Sequence, residues 1–328
     1  MAGVRGRGPA TGAALPALTL SNASPLLHPS RVSSAAAQPG TVGASVESTR
    51  RVLEAAGVPE PRREAAELYA ALVAGAASAA WLERDAPLAA GSALEAGLAA
   101  AARRRAAGWP QAYAAGRANF RGWWLAVDGR VLIPRPETEG LVELVLVWLR
   151  ETGASAPRIV DAGTGSGAVA VALARESPAR VVATDASRAA LEVARTNVAA
   201  HVVEARVTLA CGRWLSALRG RTVDAVVSNP PYVATAEWES LEPGVRTFEP
   251  RDALDGGPDG LAATRELVAQ AWGALRSGGL LALELDARRA RESAGLVEAA
   301  GFTGCAVIED LSGRPRYLRA RRPADGRD

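Results

Sequence analysis

The sequence predicts an α/β protein in which a largely parallel β-sheet, covered by helices on both faces, follows a small helical domain. Short runs of β-branched and other apolar residues alternate with helical patterns between about residues 158 and 300. Such alternation is typical of parallel sheets whose strands are joined by helices. Ahead of them, apolar residues recur at helical spacing from about residue 48, which indicates amphipathic helices. The chain of 328 residues has room for both parts.

Residues 1–47 are predicted to form a disordered leader. Residues 1–46 are rich in Ala, Ser, Pro and Gly, and they carry three arginines but no acid. Such a composition does not bury enough apolar surface to build a core. A start codon placed too far upstream would also explain the segment. An organelle transit peptide is the remaining alternative, because the segment bears Arg and Ser and lacks acids.

Residues 48–118 are predicted to form the helical domain. Pro61 suits the first turn of a helix, and apolar residues follow it on one face. Ser92 and Glu95 have the spacing of a capping box for a further helix, which ends at Gly108. We interpret the apolar stripes of these helices as the core of the domain.

Residues 119–140 are predicted to be a linker built on a β-hairpin. Residues 119–134 alternate between apolar and polar side chains, and the dipeptide Asp128-Gly129 interrupts them. Asp-Gly is a favoured two-residue hairpin turn because both positions tolerate positive φ. The hairpin would connect the helical domain to the sheet.

Residues 141–322 are predicted to form the sheet domain, which leaves residues 323–328 as a tail. The predicted helices of this domain include residues 169–175, 189–200 and 288–300. The predicted strands are residues 158–161, 180–185, 206–210, 223–228, 280–285, 304–309 and 316–319. A turn-like sequence, Ser312-Gly313-Arg314-Pro315, separates the last two strands and suits an antiparallel hairpin at the end of the sheet.

The first predicted strand runs through Asp161 into a glycine-rich turn that precedes a helix. The turn consists of Gly163, Thr164, Gly165, Ser166 and Gly167. Glycines let the backbone turn tightly and approach a ligand, and the N–H groups of a helix N-terminus bind anionic groups. The next strand ends at Asp185, where a carboxylate accepts hydrogen bonds from ribose hydroxyls. These residues are predicted to bind a nucleoside cofactor, although dinucleotide dehydrogenases share the arrangement.

The sequence Asn229-Pro230-Pro231-Tyr232 follows the fourth predicted strand. Two prolines do not continue a hydrogen-bonded ladder, and each fixes its own φ, so the chain leaves the sheet in a stiff loop. Parallel sheets bind ligands along the carboxyl edge of their strands. A side-chain amide, carbonyl groups and an aromatic face at that edge suit a planar, nitrogen-bearing substrate. One proline would be enough to end a strand, so we favour a site formed by all four residues.

Together with the glycine-rich turn, this loop resembles class I S-adenosylmethionine-dependent methyltransferases that act on a planar nitrogen. Further segments resemble the HemK-type release factor glutamine methyltransferases. These segments are residues 104–122, 131–139, 248–261 and 310–313. The likeness covers roughly residues 48–322. It implies a Rossmann-like, seven-stranded sheet, S-adenosyl-L-methionine as cofactor, and methylation of the glutamine nitrogen in the Gly-Gly-Gln motif of peptide chain release factors.

The resemblance also implies roles for individual residues. Asn229 and the carbonyl of Pro230 would accept the two N–H groups of the substrate amide. Tyr232 would pack against the amide plane, and Pro231 would complete the substrate site. Asn229 would also contact the cofactor, and Trp214 would cover its adenine face.

Two positions depart from the family pattern and bear on cofactor binding rather than on the reaction class. Arg213 stands where an acid usually precedes the aromatic residue, and Asp286 has no recognised counterpart. Asp161 and Glu137 are interpreted as orienting the turn and the linker, not as bases.

The composition argues against several other classes. Beyond residue 46 there are 35 arginines and 35 acids, so nothing marks a surface for nucleic acid. Cys211 and Cys305 are too few for a disulfide framework and lack metal-ligand spacing, and the chain has only two histidines. No apolar run is long enough to span a membrane. We expect a cytoplasmic protein with no metal, no membrane contact and no direct nucleic-acid partner.

Three alternatives remain open. The same chemistry could serve a glutamine of a ribosomal protein. Relatives with the same tetrapeptide methylate adenine or guanine in nucleic acid, which requires a surface for phosphates or flipped bases. The third alternative, a non-catalytic binding module of the same fold, belongs to a different class of function. It is suggested by Arg213 and Asp286, the two positions that depart from the family pattern. For an enzyme, selecting one glutamine requires contacts remote from the reacting atom, so we interpret residues 48–118 as a substrate-recognition domain.

Overall fold

The structure is a computed structural model, and it describes residues 40–218, 220 and 222–324. Its N-terminal part is helical, and Leu53, Leu68 and Leu98 are buried together in the core of this part. Its elements are strands β1 (Gly40–Thr41) and β2 (Pro87–Leu88) and helices α1 (Val42–Ala55), α2 (Pro61–Val73), α3 (Ala79–Leu82), α4 (Ala93–Ala106) and α5 (Gln111–Ala115). Ser92 caps α4 as predicted, since its Oγ accepts the N–H of Glu95 at 3.3 Å.

The predicted boundary between leader and helical domain is wrong. Helix α1 begins at Val42 rather than near residue 48, and Thr41 caps it by accepting the N–H of Ala44 at 3.2 Å. The Val42 side chain is buried. This start was missed because the small residues after Val42 show no apolar periodicity. Residues 1–39 of the predicted leader and residues 325–328 of the predicted tail lie outside the described residues.

A hairpin follows the helical part, but its turn is not the predicted one. Its strands are β3 (Arg117–Phe120) and β4 (Trp123–Ala126). Arg121 and Gly122 connect them with φ of 51° and 79°, and positive φ at both positions is what a type I′ turn requires. Asp128-Gly129 lies beyond β4 in a separate turn, in which Asp128 Oδ1 accepts the N–H of Arg130 at 3.0 Å. The side-chain acceptor of Asp128 explains why this dipeptide forms a local turn without a hairpin.

The rest of the described chain is a seven-stranded sheet with helices on both faces, as predicted. The strands are β5 (Arg158–Ala162), β6 (Arg180–Asp185), β7 (Val207–Cys211), β8 (Val223–Ser228), β9 (Leu275–Glu284), β10 (Thr303–Glu309) and β11 (Pro315–Arg321). The helices are α6 (Pro136–Thr152), α7 (Ala168–Glu176), α8 (Arg188–Ala200), α9 (Pro243–Phe248), α10 (Ala262–Ala274) and α11 (Ala290–Ala299). The strand order is β10-β11-β9-β8-β5-β6-β7, with β11 antiparallel to both neighbours.

Every predicted strand has a counterpart in this sheet, but α6, α9 and α10 were not predicted. Pro136 occupies the first turn of α6, and the buried Leu141, Val145 and Leu149 recur at helical spacing. The helical periodicity was therefore present in the sequence. The helix was missed because its first turn falls within residues 119–140, which were predicted to be a linker. None of the helices in the described ranges is long and apolar enough to cross a membrane.

The sheet core has two layers because neighbouring side chains of a strand face opposite sides. Ile159 of β5 is buried in the core that includes α6 and α7, and Val160 is buried in the core that includes α10 and α11. Strand β5 lies between β6 and β8, so the strand order reverses at β5. A crevice at the carboxyl ends of such strands is where open α/β sheets bind ligands.

Candidate active site

The glycine-rich turn lies at the carboxyl end of β5, where the strand order reverses. Gly163, Gly165 and Gly167 have φ of 77°, 54° and 83°. Residues other than glycine rarely adopt such positive φ values. A Cβ built on Gly165 would meet no atom within 4 Å. Gly167 directly precedes α7, so the N-terminus of that helix opens from the turn. Four N–H groups of the turn already donate within the protein: those of Gly163 and Thr164 to the carbonyl of Thr184, that of Gly165 to Asp185, and that of Gly167 to the carbonyl of Thr164. The turn therefore contributes open space beside its backbone.

Asp185, at the end of β6, is connected to the turn. Its Oδ2 accepts the N–H of Gly165 at 2.9 Å, and its Oδ1 accepts the N–H of Ser187 at 2.8 Å. Burial raises the pKa of Asp185, and the two N–H donors act against that rise. Each carboxylate oxygen still has acceptor capacity for a further donor such as a ribose hydroxyl.

Asp161 is hydrogen-bonded to the turn and to the first turn of α7. Its Oδ2 accepts the Thr164 hydroxyl at 2.6 Å and the N–H of Ala170 at 3.1 Å. Burial raises the pKa of Asp161 to about 7. The carbonyl of Ser166 accepts from Asn197 Nδ2 at 2.8 Å. The two hydrogen bonds of Asp161, to Thr164 and Ala170, support the prediction that it orients the turn and does not act as a base.

Trp214 forms a wall beside the turn. It is buried, and a Cβ built on Gly163 would lie 3.3 Å from its Cζ3 atom, so the indole approaches the turn closely. Its carbonyl accepts the Thr184 hydroxyl at 2.6 Å, while its Nε1 is buried with no hydrogen-bond partner in the described residues. Arg213 faces outward, and its Nε lies 2.6 Å from Glu266 Oε2. Its guanidinium also lies over the Trp214 ring, 5.8 Å from the ring centroid.

The loop that begins at Asn229 leaves the end of β8, which is the neighbour of β5. The Ser228 hydroxyl donates to the carbonyl of Ala162 at 2.5 Å, which joins the ends of the two strands. Asn229 Nδ2 donates to Thr138 Oγ1 at 3.1 Å. Tyr232 is partly buried, and burial raises its pKa to about 12. The loop and the glycine-rich turn thus share one edge of the sheet.

Two glycines far along the chain fit closely against this loop. A Cβ on Gly256 would lie 2.6 Å from the carbonyl oxygen of Pro231, and one on Gly260 would lie 2.5 Å from that of Tyr232. Gly256 also donates its N–H to the carbonyl of Val233 at 2.8 Å. The glycine-rich stretch after residue 253 is therefore required by close backbone packing, which the sequence alone did not indicate.

Thr138 and Glu284 are polar residues of the site that sequence reasoning missed. The Thr138 hydroxyl donates to Glu284 Oε2 at 2.7 Å. Both side chains are buried, and burial raises the pKa of Glu284 to about 7. The available signal was an acid, Glu284, inside an apolar run that ends in Leu285.

Asp286, the second position that departs from the family pattern, has a structural function. It accepts the N–H of Arg288 at 3.0 Å and binds the guanidinium groups of Arg288 and Arg289. Both arginines also bind Glu237, which follows the loop. The four side chains form one ionic cluster that connects the end of β9 to the segment after Tyr232.

The residues of the crevice fit a nucleoside cofactor. The open space beside Gly165 and the remaining acceptor capacity of the Asp185 carboxylate suit a ribose-bearing group. In the described part of the chain, no three His, Cys, Asp or Glu side chains are grouped as they would be around a metal ion. Strand order and site together define a class I methyltransferase.

Comparison with known proteins narrows this class. The family model described as methyltransferase small domain matches residues 142–241. The release factor glutamine methyltransferase of Moorella thermoacetica is 45% identical over 281 residues, 84% of this chain and 96% of that protein. The protein of the same name from Cereibacter sphaeroides is 44% identical over 275 residues, 83% of this chain and 95% of its own length. The chain belongs to the release factor glutamine methyltransferase family.

Solved structures resemble the chain more distantly. A methyltransferase from Pyrococcus furiosus is 18% identical, with a TM-score of 0.45. The alignment covers 61% of this chain and 88% of that one.

Proposed function

We propose that this protein transfers a methyl group from S-adenosyl-L-methionine to the side-chain N5 of the glutamine in the Gly-Gly-Gln motif of peptide chain release factors. The observation that carries the proposal is the position of Asn229. It stands at the end of β8, beside the glycine-rich turn, with Nδ2 bound to Thr138 and Oδ1 left to accept a donor. Membership of the family supports the same reaction.

The cofactor would occupy the crevice at the end of β5. Gly163 to Gly167 would let the cofactor approach the backbone closely, Asp185 would accept the ribose hydroxyls, and Trp214 would cover the adenine. Asn229, at the next strand end, would border the cofactor on the substrate side. When bound, the sulfonium supplies an already activated methyl group.

The substrate amide would be held by the loop. Its nitrogen is a poor nucleophile because the lone pair is delocalised, so geometry and charge placement are what the protein must supply. Asn229 Oδ1 and the Pro230 carbonyl would accept its two N–H groups, which stabilises positive charge developing on nitrogen. Tyr232 would pack on the amide plane, and Pro231 would complete the pocket wall.

We assign recognition of the release factor to the helical residues 48–118. Helix α3 presents two adjacent apolar side chains to solvent, Trp81 and Leu82, which are 59% and 83% exposed. Exposed apolar surface of this kind suits a protein partner. The double replacement Trp81→Ala and Leu82→Ala should raise KM for an intact release factor and leave cofactor affinity unchanged. Val202→Ala, at an 80% exposed site in the sheet part, is the control, and equal KM values for both would refute the assignment.

The partners would be class 1 release factors, without direct nucleic-acid binding, and we expect the reaction to take place in the cytoplasm. The free thiols Cys211 and Cys305 are compatible with a reducing compartment.

The test is to incubate the protein with methyl-labelled cofactor and with a release factor, ribosomal protein or nucleic acid in parallel. Label on the release factor alone supports the proposal. Label on ribosomal protein or nucleic acid instead would replace it with one of the alternatives. Calorimetry with the cofactor separates an enzyme from a non-catalytic module, because a module that has lost the cofactor site shows no binding.

A further inference from the structure

Thr138 lies between two polar side chains that come from distant parts of the chain. Its Oγ1 donates to Glu284 Oε2 at 2.7 Å and accepts from Asn229 Nδ2 at 3.1 Å. A hydroxyl has a single proton, so one that donates to a carboxylate must act as acceptor towards any other partner. Thr138 is 6% exposed and Glu284 is 1% exposed, so the contact between them is shielded from bulk water.

We propose that Thr138 is a positioning residue that determines which end of the Asn229 amide faces the substrate. The inference rests on the proposed function, in which Asn229 Oδ1 accepts a substrate N–H. While Thr138 holds Nδ2, Oδ1 is the free end of the amide. The reversed amide would present its own NH2 group to the substrate NH2 group, and two donors do not bind each other.

Glu284 sets the direction of this hydrogen-bond chain. As a carboxylate it only accepts, so the Thr138 proton points to it. A protonated Glu284 can donate to Thr138, whose own proton then turns to Asn229 and favours the reversed amide. The charged and titratable groups that act on Glu284 from neighbouring segments are Arg135, Glu137, Tyr232, Arg316 and Tyr317.

Two variants of the full chain test this role on an intact release factor. Thr138→Val keeps the shape of the side chain but removes the hydroxyl, and kcat should fall on the order of 10- to 100-fold, as expected for a misplaced catalytic group. KM and cofactor affinity should stay close to wild type. Thr138→Ser restores the hydroxyl and should retain most of kcat, which a loss of packing alone would not explain.

The pH dependence gives a readout that packing would not change. Burial raises the pKa of Glu284 to about 7, so kcat at saturating cofactor should rise with pH through that value in the wild type and in Thr138→Ser. Thr138→Val should lack this rise. The pKa of Asp161 is also about 7, but Asp161 contacts Thr164 and Ala170 and not Thr138. Its titration would therefore persist in Thr138→Val, and a rise that is lost in this variant belongs to Glu284.

The outcomes distinguish this inference from the proposed function. Wild-type kcat in a folded Thr138→Val, together with an inactive Asn229→Ala, would overturn the inference alone. Full activity of Asn229→Ala would overturn both. If Thr138→Val does not fold, the wild-type profile decides, and a kcat that is constant with pH on both sides of 7 contradicts the inference.

Discussion

Arg135 Nη2 lies 2.5 Å from Glu249 Oε1, although the two residues are 114 positions apart in the chain. Glu249 also accepts the N–H of Ile133 at 3.3 Å, and its side chain is 1% exposed. Arg135 directly precedes α6, and Glu249 follows α9, beyond the loop of Asn229. The pair therefore connects the segment before the sheet to the segment after the loop of Asn229.

Glu249→Ala should destabilise the protein by about 1–3 kcal/mol, because it removes a buried acceptor from the partly exposed Arg135 guanidinium and from the N–H of Ile133. Urea unfolding measures the loss. Glu54→Ala is the control, since Glu54 forms an exposed pair with Arg50 on the surface of α1, and such pairs contribute little. Similar free energies of unfolding for both variants would show that the Arg135–Glu249 pair stabilises the protein no more than an exposed pair does.

Asp185→Ala should weaken cofactor binding by about 1.5–3 kcal/mol, the range for hydrogen bonds to a charged group. Catalysis at saturating cofactor should change less, because Asp185 is assigned to the ribose and not to the amide. Calorimetry and a comparison of KM with kcat test this. Glu204→Ala, which removes an exposed acid just before β7, should bind cofactor like the wild type. An unchanged dissociation constant for Asp185→Ala would remove Asp185 from the cofactor site.

The buried Asp161 should make stability depend on pH. Burial raises the pKa of Asp161 from 3.8 to about 7, so the folded state keeps a proton that the unfolded state has lost. The contribution of this group to stability is complete below about pH 4 and disappears as pH rises through about 7. Asp161→Asn does not titrate, so its Tm relative to the wild type should rise across that window. A difference in Tm that is constant with pH, or that falls, would contradict this sign.

The position where α1 begins leads to a truncation test. A chain that starts at residue 47 lacks the cap Thr41 and the buried Val42, whereas one that starts at residue 38 retains both. The shorter chain should be less stable by at least about 2 kcal/mol, because burying a valine contributes about 1.5–3 kcal/mol and a helix cap about 1 kcal/mol. Thermal unfolding compares the two. Equal Tm values would mean that these residues do not support the helical core.

The sequence predicts those features that local pattern determines. The strands that lead to Asp161, Asp185 and Asn229 are each marked by a β-branched run and by a glycine, an acid or a proline pair at the strand end, and the sheet confirms all three. The hairpin turn was misplaced because Arg121 adopts positive φ, which no local propensity favours. The assignments of cofactor and substrate residues stay predictions.

Contacts between residues that are distant in the chain could not be predicted from the sequence. Thr138 is 91 positions from Asn229 and 146 from Glu284, so no spacing rule joins them. Glu284 was visible only as an acid in an apolar run. The close approach of Gly256 to the Pro231 carbonyl likewise depends on tertiary packing.

The central claim is that Asn229 orients one glutamine for methylation. The direct measurement is mass spectrometry of an intact release factor after reaction with wild-type protein or Asn229→Ala. We expect the wild type to add one methyl group to the glutamine of the Gly-Gly-Gln peptide. The variant should fold, bind cofactor and react about 100- to 1000-fold more slowly, by analogy with the loss of one group that stabilises a transition state. A methyl group on another residue, or wild-type rates for the variant, would contradict the account.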